Sequence, residues 1–139
     1  MPRSGADMAG QPTFFLDRSL GRIVVPQLLR AAGLSIVTLA EHYGMPRDQT
    51  VTDVEWIGEC ARRDWVALMK DARIRRRPAE KEAIIQHSIR CFCLARADLT
   101  SDEAARRYLV NLDRILAACA ESGPYVYAIH ARTITRLEL

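Results

Sequence analysis

The sequence is short of several features that define whole classes of protein. Its longest stretches without a charged side chain, such as residues 31–40, are only ten residues long, whereas a membrane-spanning helix needs about 18 or more apolar residues. The chain has no internal repeat and no low-complexity tract. Its net charge of +3 is too small to indicate nucleic-acid binding on its own. With 49% hydrophobic and 27% charged residues, the 139 residues are expected to fold as one ordinary globular domain.

The sequence also lacks any C-x-x-C spacing. The four cysteines are Cys60, Cys91, Cys93 and Cys119. We interpret them as reduced, buried thiols of a cytoplasmic protein, with a zinc site as the alternative. Residues 1–12 contain no apolar run typical of a signal peptide. They are predicted to form a flexible leader before a single domain that covers residues 13–139.

From Thr13 onward, short apolar runs alternate with segments of helical periodicity. The predicted strands cover residues 13–17, 35–39, 65–69, 89–95 and 125–131, with an edge strand at 133–139. Helices are predicted between them, beginning near Pro26, after Thr52, at Pro78 and after Thr100. The alternation of strand and helix predicts an α/β fold with a parallel sheet and right-handed crossovers.

Local signals define several helix boundaries. Thr52 with Glu55 and Thr100 with Glu103 have the spacing of capping boxes. The apolar rhythm after Thr100 predicts one long helix that continues to about Cys119. Residues 42–51, which include a glycine and a proline, are predicted to be a loop.

Three aspartates lie at positions that a parallel sheet brings to one edge. Asp17 ends the first predicted strand, Asp71 ends the third, and Asp53 lies in the first turn of the helix that leads into the third strand. The carboxyl ends of parallel strands, and the helix amino ends that follow them, open on the same edge, where ligands bind in open α/β folds. The three carboxylates are therefore expected to meet in one crevice.

Carboxylates that converge repel one another, and burial adds to the cost unless a divalent cation neutralises them. Oxygen-only ligands favour Mg²⁺ or Mn²⁺, which can activate water for phosphodiester hydrolysis. Crowding should raise the pKa of at least one of the three carboxyls, and Asp71→Asn is expected to stabilise the metal-free protein. Each residue also has a structural interpretation: Asp53 suits a helix amino terminus, and Asp17 and Asp71 suit turns.

Five short motifs, in this order, resemble a known family. They are F-F-L-D-R-S-L at 14–20, P-x-L-L-R-A-A-G at 26–33, T-D-V-E-W-I at 52–57, A-L-M-K-D-A at 67–72 and F-C-L-A-R-A-D-L-T at 92–100. Together they are similar to the PIN domain, specifically the PIN-like subgroup allied to VapC toxins of bacterial toxin–antitoxin pairs. The resemblance covers about residues 13–120.

The resemblance implies a three-layer α/β/α sandwich with a mainly parallel central sheet, and a Mg²⁺- or Mn²⁺-dependent endoribonuclease. It implies that Asp17, Asp53 and Asp71 are both the metal ligands and the catalytic residues. Lys70 stands where this subgroup often has threonine, and such a change can favour phosphate contact or weaken metal binding. Many PIN domains have a fourth acid, for which Glu55, Asp98 and Glu80 are the candidates.

Basic residues surround the predicted crevice. The candidates for RNA binding are Arg18, Lys70, Arg73, Arg75, Arg76 and Arg77. Beside a metal crevice, these cations can neutralise RNA phosphates. A solvated loop is the alternative, as is a docking site for an antitoxin, because antitoxins often carry acidic segments.

The leading hypothesis is therefore a cytoplasmic ribonuclease, with an RNA substrate, a cognate antitoxin and no membrane association; a homodimer is left open. Two other classes remain. A non-catalytic PIN-like interaction module would have kept the scaffold and lost the chemistry, as Lys70 and the missing fourth acid suggest. A receiver-like domain with a phosphorylated aspartate is disfavoured, because such domains place paired acids after the first strand and Asp17 stands alone.

Overall fold

A six-stranded sheet forms the centre of the computed structural model, which describes residues 10–139. The strands are β1 (Thr13–Leu16), β2 (Ser35–Thr38), β3 (Val66–Met69), β4 (Arg90–Leu94), β5 (Tyr125–Ile129) and β6 (Ile134–Leu137). Their order across the sheet is β2-β1-β3-β4-β5-β6. All neighbours are parallel except β5 and β6, which are antiparallel. The predicted parallel sheet and edge strand are confirmed, whereas residues 1–9 of the predicted leader lie outside the described residues.

Six α-helices and three short 3₁₀ helices connect the strands. The α-helices are α1 (Val24–Ala31), α2 (Leu39–Tyr43), α3 (Asp53–Arg63), α4 (Pro78–Gln86), α5 (Ser101–Val110) and α6 (Leu112–Cys119). The 3₁₀ helices cover Arg18–Leu20, Arg47–Gln49 and Ala72–Arg76. This count refers to residues 10–139.

The sheet has a separate hydrophobic core on each face, because successive side chains of a strand point in opposite directions. Phe14 and Leu16 of β1 face a core that includes Tyr108 of α5. Phe15, between them, faces the other core, with Trp56 of α3 and Ile84 of α4. Two helical layers thus enclose the sheet, which is the three-layer α/β/α sandwich expected from the family resemblance.

Helix α1 ends as its sequence predicts. Gly33 has a positive φ of 95°, a conformation that favours glycine. Its backbone N–H donates to the carbonyl of Arg30, and the N–H of Leu34 donates to the carbonyl of Leu29. These two bonds form a Schellman motif, which turns the chain into β2.

The prediction of one long helix after Thr100 is wrong. The segment divides into α5 and α6 at Asn111, which is fully buried. The Asn111 amide donates to the carbonyl of Arg107, at 2.9 Å, and to that of His130 after β5, also at 2.9 Å. The break follows from this long-range bond to the loop after β5, which the apolar rhythm of the helix does not reveal.

The prediction of a loop at residues 42–51 is also partly wrong. Helix α2 reaches Tyr43, because Thr38 and Glu41 form a complete capping box. In contrast, the predicted boxes after Thr52 and Thr100 are half formed. Each threonine accepts the expected backbone N–H, but the partner glutamates turn to arginine side chains instead.

All four cysteines are buried free thiols. Burial raises the pKa of Cys93 to about 12, so this thiol is un-ionised at neutral pH. Within residues 10–139, no three His, Cys, Asp or Glu side chains are placed to hold one metal ion, so the zinc alternative has no ligand group there. In the same part of the chain, no helix is long and apolar enough to cross a membrane.

Candidate active site

Asp17 begins the candidate site at the carboxyl end of β1. Its backbone N–H donates to the carbonyl of Leu68 in β3, at 3.3 Å, and its side chain caps the following 3₁₀ helix. The backbone N–H of Ser19 donates to the Oδ1 atom of Asp17 at 3.1 Å, and the Ser19 hydroxyl donates to the same atom. The Asp17 carboxylate is therefore fixed by its own turn.

Ser19 also connects this turn to the neighbouring strand end. Its Oγ atom accepts the backbone N–H of Lys70 at 3.0 Å. One hydroxyl thus joins the carboxyl ends of β1 and β3, where Asp17 and Asp71 lie. Ser19 is not among the site residues predicted from the sequence, although an aspartate followed two residues later by serine is a recognisable turn signal.

Asp53 enters the site from the first turn of α3. Its Oδ1 atom accepts a hydrogen bond from the indole Nε1–H of Trp56, at 2.9 Å. Trp56 is buried and stacks on Phe15 of β1, with a distance of 5.4 Å between ring centroids. The indole of Trp56, which is packed in the core on one face of the sheet, therefore orients the Asp53 carboxylate.

Asp71 lies two residues after β3 and caps the 3₁₀ helix Ala72–Arg76. It accepts the backbone N–H of Arg73 at 2.9 Å. The Arg73 side chain binds both carboxylate oxygens, with Nε 3.0 Å from each of them and Nη2 2.8 Å from Oδ2. Unlike the other two carboxylates, Asp71 is paired with a cation from its own turn.

The three aspartates line one cavity of about 230 Å³ at the carboxyl edge of the sheet. Ser19, Trp56 and Arg77 contribute to the same cavity. The sheet order explains the meeting, because β1 and β3 are adjacent parallel strands and both end at this edge. The structure therefore brings together the three acids that sequence reasoning expected to converge.

Asp17 is the carboxyl whose ionised form this arrangement disfavours. Burial, reinforced by the nearby charge of Asp53, raises the pKa of Asp17 from 3.8 to about 6, although hydrogen bonds from Ser19 oppose the shift. The pKa of Asp71 is instead lowered, mainly by its hydrogen bonds with Arg73. The expectation that Asp71→Asn would stabilise the metal-free protein is therefore wrong, because Asp71 is compensated and Asp17 is not.

Arg77 lies between two of the carboxylates. Its Nη1 atom is 3.5 Å from Oδ2 of Asp53, and its Nη2 atom is 3.9 Å from Oδ2 of Asp71. Its guanidinium thus places a positive charge in the cavity lining, beside two carboxylates that would also attract a metal cation.

The donor set fits a hard divalent cation in its chemistry. It offers only carboxylate oxygens, and those of the partly buried Asp17 are costly to ionise without a cation. In the arrangement described for residues 10–139, no three acids surround a single point. Arg73 and Arg77 bind oxygens of Asp71 and Asp53, so a cation held by all three aspartates has to displace these ion pairs.

The predicted RNA-binding residues divide into bound and free cations. Arg18 donates to the backbone carbonyls of Asp48 and Val51, and Arg75 approaches that of Glu138 at 3.5 Å. Arg73 and Arg77 are paired with the candidate acids. Among the described residues, the side chains of Lys70 and Arg76 have no hydrogen-bond or ion-pair partner. The basic turn is thus only partly available to a ligand.

None of the three candidates for a fourth acid lines the cavity. Glu55 is paired with Arg47, and Asp98 is exposed and paired with Arg96. Glu80 lies in the first turn of α4. The described residues therefore supply three acids to this cavity.

Comparison with known proteins assigns the fold to a family. The model of the family described as "PIN like domain" matches residues 12–96, which is more than half of the chain. This match includes all three candidate aspartates. The chain therefore belongs to the PIN-like domain family.

A curated relative is similar over most of both chains. The chain is 42% identical over 123 residues to the protein named "Putative ribonuclease VapC45" from Mycobacterium tuberculosis (strain ATCC 25618 / H37Rv). The alignment covers 88% of this chain and 89% of that protein. No solved structure matches the chain significantly.

Proposed function

We propose that this protein is a Mg²⁺- or Mn²⁺-dependent endoribonuclease of the VapC type, the toxin of a toxin–antitoxin pair. One observation carries the proposal: three aspartates from separate elements line one cavity at the carboxyl edge of the sheet. The similarity to a protein named as a ribonuclease supports the same reaction and substrate. The proposal implies that the protein is cytoplasmic and that its substrate is RNA.

Each aspartate has a distinct support, which favours a preorganised site. Ser19 holds Asp17, the indole of Trp56 holds Asp53, and the backbone N–H of Arg73 holds Asp71. The three aspartates would bind the divalent cation. The cation would supply the acidity that activates water and stabilises the leaving oxygen of the phosphodiester.

The free cations are suited to the RNA backbone. Lys70 precedes Asp71, and Arg76 lies at the end of the 3₁₀ helix that Asp71 caps. Because neither side chain has a partner among the described residues, each can pair with a phosphate without breaking an existing ion pair. Phosphate contacts of this kind position the strand and do not read its sequence.

An antitoxin is the expected protein partner, because VapC-type proteins occur in such pairs and the relative carries that name. The non-catalytic interaction module remains the second candidate function. The ion pairs of Arg73 and Arg77 favour it, since they compensate two of the three acids without any metal. The two functions differ in one property, which is metal-dependent cleavage.

The test is cleavage of single-stranded RNA with Mn²⁺ or with EDTA. Asp17→Asn, Asp53→Asn and Asp71→Asn should each reduce the Mn²⁺-dependent rate by about 10²-fold or more, since each removes a carboxylate that positions the cation. Asp102→Asn changes an exposed carboxylate outside the cavity and is the matched control. Full activity in two of the three site variants contradicts the assignment, and the absence of cleavage by the folded wild type favours the interaction module.

A further inference from the structure

In each of the three candidate aspartates, the Oδ1 atom is already bound by the protein. It accepts a hydrogen bond from a donor in the same turn or helix. The donors are Ser19 for Asp17, the indole of Trp56 for Asp53 and the backbone N–H of Arg73 for Asp71. One oxygen of every carboxylate is therefore fixed by local structure, and the other, Oδ2, has different surroundings.

The Oδ2 atoms are the oxygens that a cation reaches across the cavity. The Arg77 guanidinium lies between two of them, with Nη1 3.5 Å from Oδ2 of Asp53 and Nη2 3.9 Å from Oδ2 of Asp71. Oδ2 of Asp17 accepts no hydrogen bond from any of residues 10–139. Because Arg77 approaches two of the acids through this atom, a metal cation in the same cavity is expected to meet Oδ2 as well.

The orientation of Asp53 depends on one side chain. Asp17 and Asp71 each accept a backbone N–H, which a change of the donor's side chain leaves in place. Among the described residues, Oδ1 of Asp53 accepts only from the indole Nε1–H of Trp56, at 2.9 Å. Trp56 is buried and stacks on Phe15, and its i, i+3 spacing from Asp53 places both on one face of α3. A rigid core side chain thus determines which Asp53 oxygen is free.

Cations differ in how they use a carboxylate. Ca²⁺ binds about six to eight oxygens and often takes both oxygens of one carboxylate, whereas Mg²⁺ is smaller, keeps several waters and binds few carboxylates. With Oδ1 held by the indole, Asp53 offers a cation only Oδ2. Such an acid suits Mg²⁺ and lacks the second oxygen that Ca²⁺ can use.

We propose that Trp56 is a positioning residue that makes Asp53 a one-oxygen ligand and so favours Mg²⁺ over Ca²⁺ at the candidate site. This step rests on the proposed metal-dependent function and adds to it the residue that determines the choice of cation. In Trp56→Phe the carboxylate loses its donor, and because the terminal torsion of aspartate is broad, it can turn and present both oxygens. Loss of the indole N–H should therefore weaken the binding of Mg²⁺ but not that of Ca²⁺.

Calorimetric titration of the metal-free protein with Mg²⁺ and with Ca²⁺ tests this role. Trp56→Phe should weaken Mg²⁺ binding by about 10-fold or more, as expected when the partner of a metal ligand is removed, and leave Ca²⁺ binding unchanged or stronger. The matched control is Trp65→Phe. Trp65 also stacks on Phe15, with 5.6 Å between ring centroids, but it donates no hydrogen bond within the described residues. The control should keep the wild-type ratio of the two affinities.

A measurement on the wild type keeps the proposal testable if Trp56→Phe fails to fold. The chain has two tryptophans, so a ¹H–¹⁵N NMR spectrum contains two indole resonances, which Trp65→Phe assigns. Saturating Mg²⁺ should shift the Trp56 resonance more than that of Trp65, because the acceptor of its N–H binds the cation. The Trp56 N–H should remain protected from exchange with D₂O, since Oδ1 stays bonded to it.

Several results would overturn the positioning role. In the calorimetric arm they are an equal loss of Mg²⁺ and Ca²⁺ affinity in folded Trp56→Phe, no loss of Mg²⁺ affinity, or the same change of ratio in Trp65→Phe. In the spectroscopic arm they are a Trp56 resonance that Mg²⁺ does not move, or a Trp56 N–H that exchanges faster with Mg²⁺ because the cation has taken Oδ1.

Cleavage assays separate this proposal from the proposed function. Mn²⁺-dependent cleavage of RNA by the wild type, with an unchanged ratio of Mg²⁺ to Ca²⁺ affinity in Trp56→Phe, would refute the positioning role and leave the ribonuclease intact. A changed ratio without any cleavage by the wild type would refute the ribonuclease and leave the positioning role intact. A wild type that binds neither cation would refute both.

Discussion

The substitution Asp17→Asn should stabilise the metal-free protein at neutral pH. Burial and the charge of Asp53 raise the pKa of Asp17 from 3.8 to about 6. This difference corresponds to about 3 kcal/mol between its protonation states. Because Asp17 is not fully shielded from water, we expect a gain of about 1 to 3 kcal/mol. The asparagine Oδ1 atom can still accept both hydrogen bonds from Ser19, so the turn is preserved.

The pH dependence gives this prediction its sign. A carboxyl with a higher pKa in the folded state binds more protons when folded, so wild-type stability falls as pH rises through 3.8 and then through about 6. Below pH 3.8 the side chain is protonated in both states, and the variant and the wild type should have similar stability. Above pH 6 the difference should be complete and constant. Urea unfolding at pH 4 and pH 7.5 in EDTA measures it.

Metal addition provides the second half of the same experiment. Free Mn²⁺ at about 10 to 100 times its Kd should stabilise the wild type by roughly 1 to 3 kcal/mol, since it binds the folded state. The Asp17→Asn variant should lose most of this gain, and Asp102→Asn should keep it. The reasoning is refuted if Asp17→Asn lowers stability at pH 7.5 in EDTA, or if the wild type is equally stable with EDTA and with Mn²⁺.

Two further predictions concern a cation and a glycine. Arg77→Gln should tighten Mn²⁺ binding severalfold in a calorimetric titration, because it removes a positive charge from between two candidate ligands; Arg76→Gln is the control, and unchanged or weaker affinity contradicts the idea. Gly123→Ala should destabilise the fold by about 2 kcal/mol or more, since a Cβ atom there would lie 2.3 Å from the backbone oxygen of Ser88. Thermal unfolding measures the effect. The control is Gly58→Ala, where a Cβ atom meets only ordinary contacts, and it should not destabilise the protein. Equal melting temperatures for the wild type and Gly123→Ala would contradict the clash.

The strands and two of the site residues could be predicted because a buried parallel strand is an unbroken apolar run. Residues 14–16 and 66–69 are such runs, and an aspartate close behind each of them falls at the carboxyl edge whatever the helices do. Asp53 could be placed because Thr52 marks the amino end of α3. The convergence of the three acids thus follows from topology and needs no knowledge of side-chain packing.

What could not be predicted depends on contacts between distant residues. The break at Asn111 requires the carbonyl of His130, nineteen positions away. The bond from Arg18 to the backbone carbonyl of Asp48 spans 30 positions, and nothing in the local sequence signals it. The ion pair of Arg77 with Asp53 spans 24 positions. Patterns of hydrophobicity and capping describe neighbours along the chain, so they do not include these pairs.

The positions of the arginines explain why Asp17 is the candidate acid whose pKa is raised. Arg73 compensates Asp71 from the same turn, and Arg77 approaches Asp53 and Asp71, whereas the nearest guanidinium to Asp17 in sequence, Arg18, is turned to backbone carbonyls. A divalent cation at the proposed site would therefore gain most from Asp17 and would have to displace Arg73 and Arg77 to reach the other two acids. The displaced guanidinium groups would remain beside the cavity, where they could pair with RNA phosphates. In the proposed ribonuclease the basic turn would therefore have two roles, balancing the acids when no metal is bound and pairing with RNA phosphates when metal and substrate are bound.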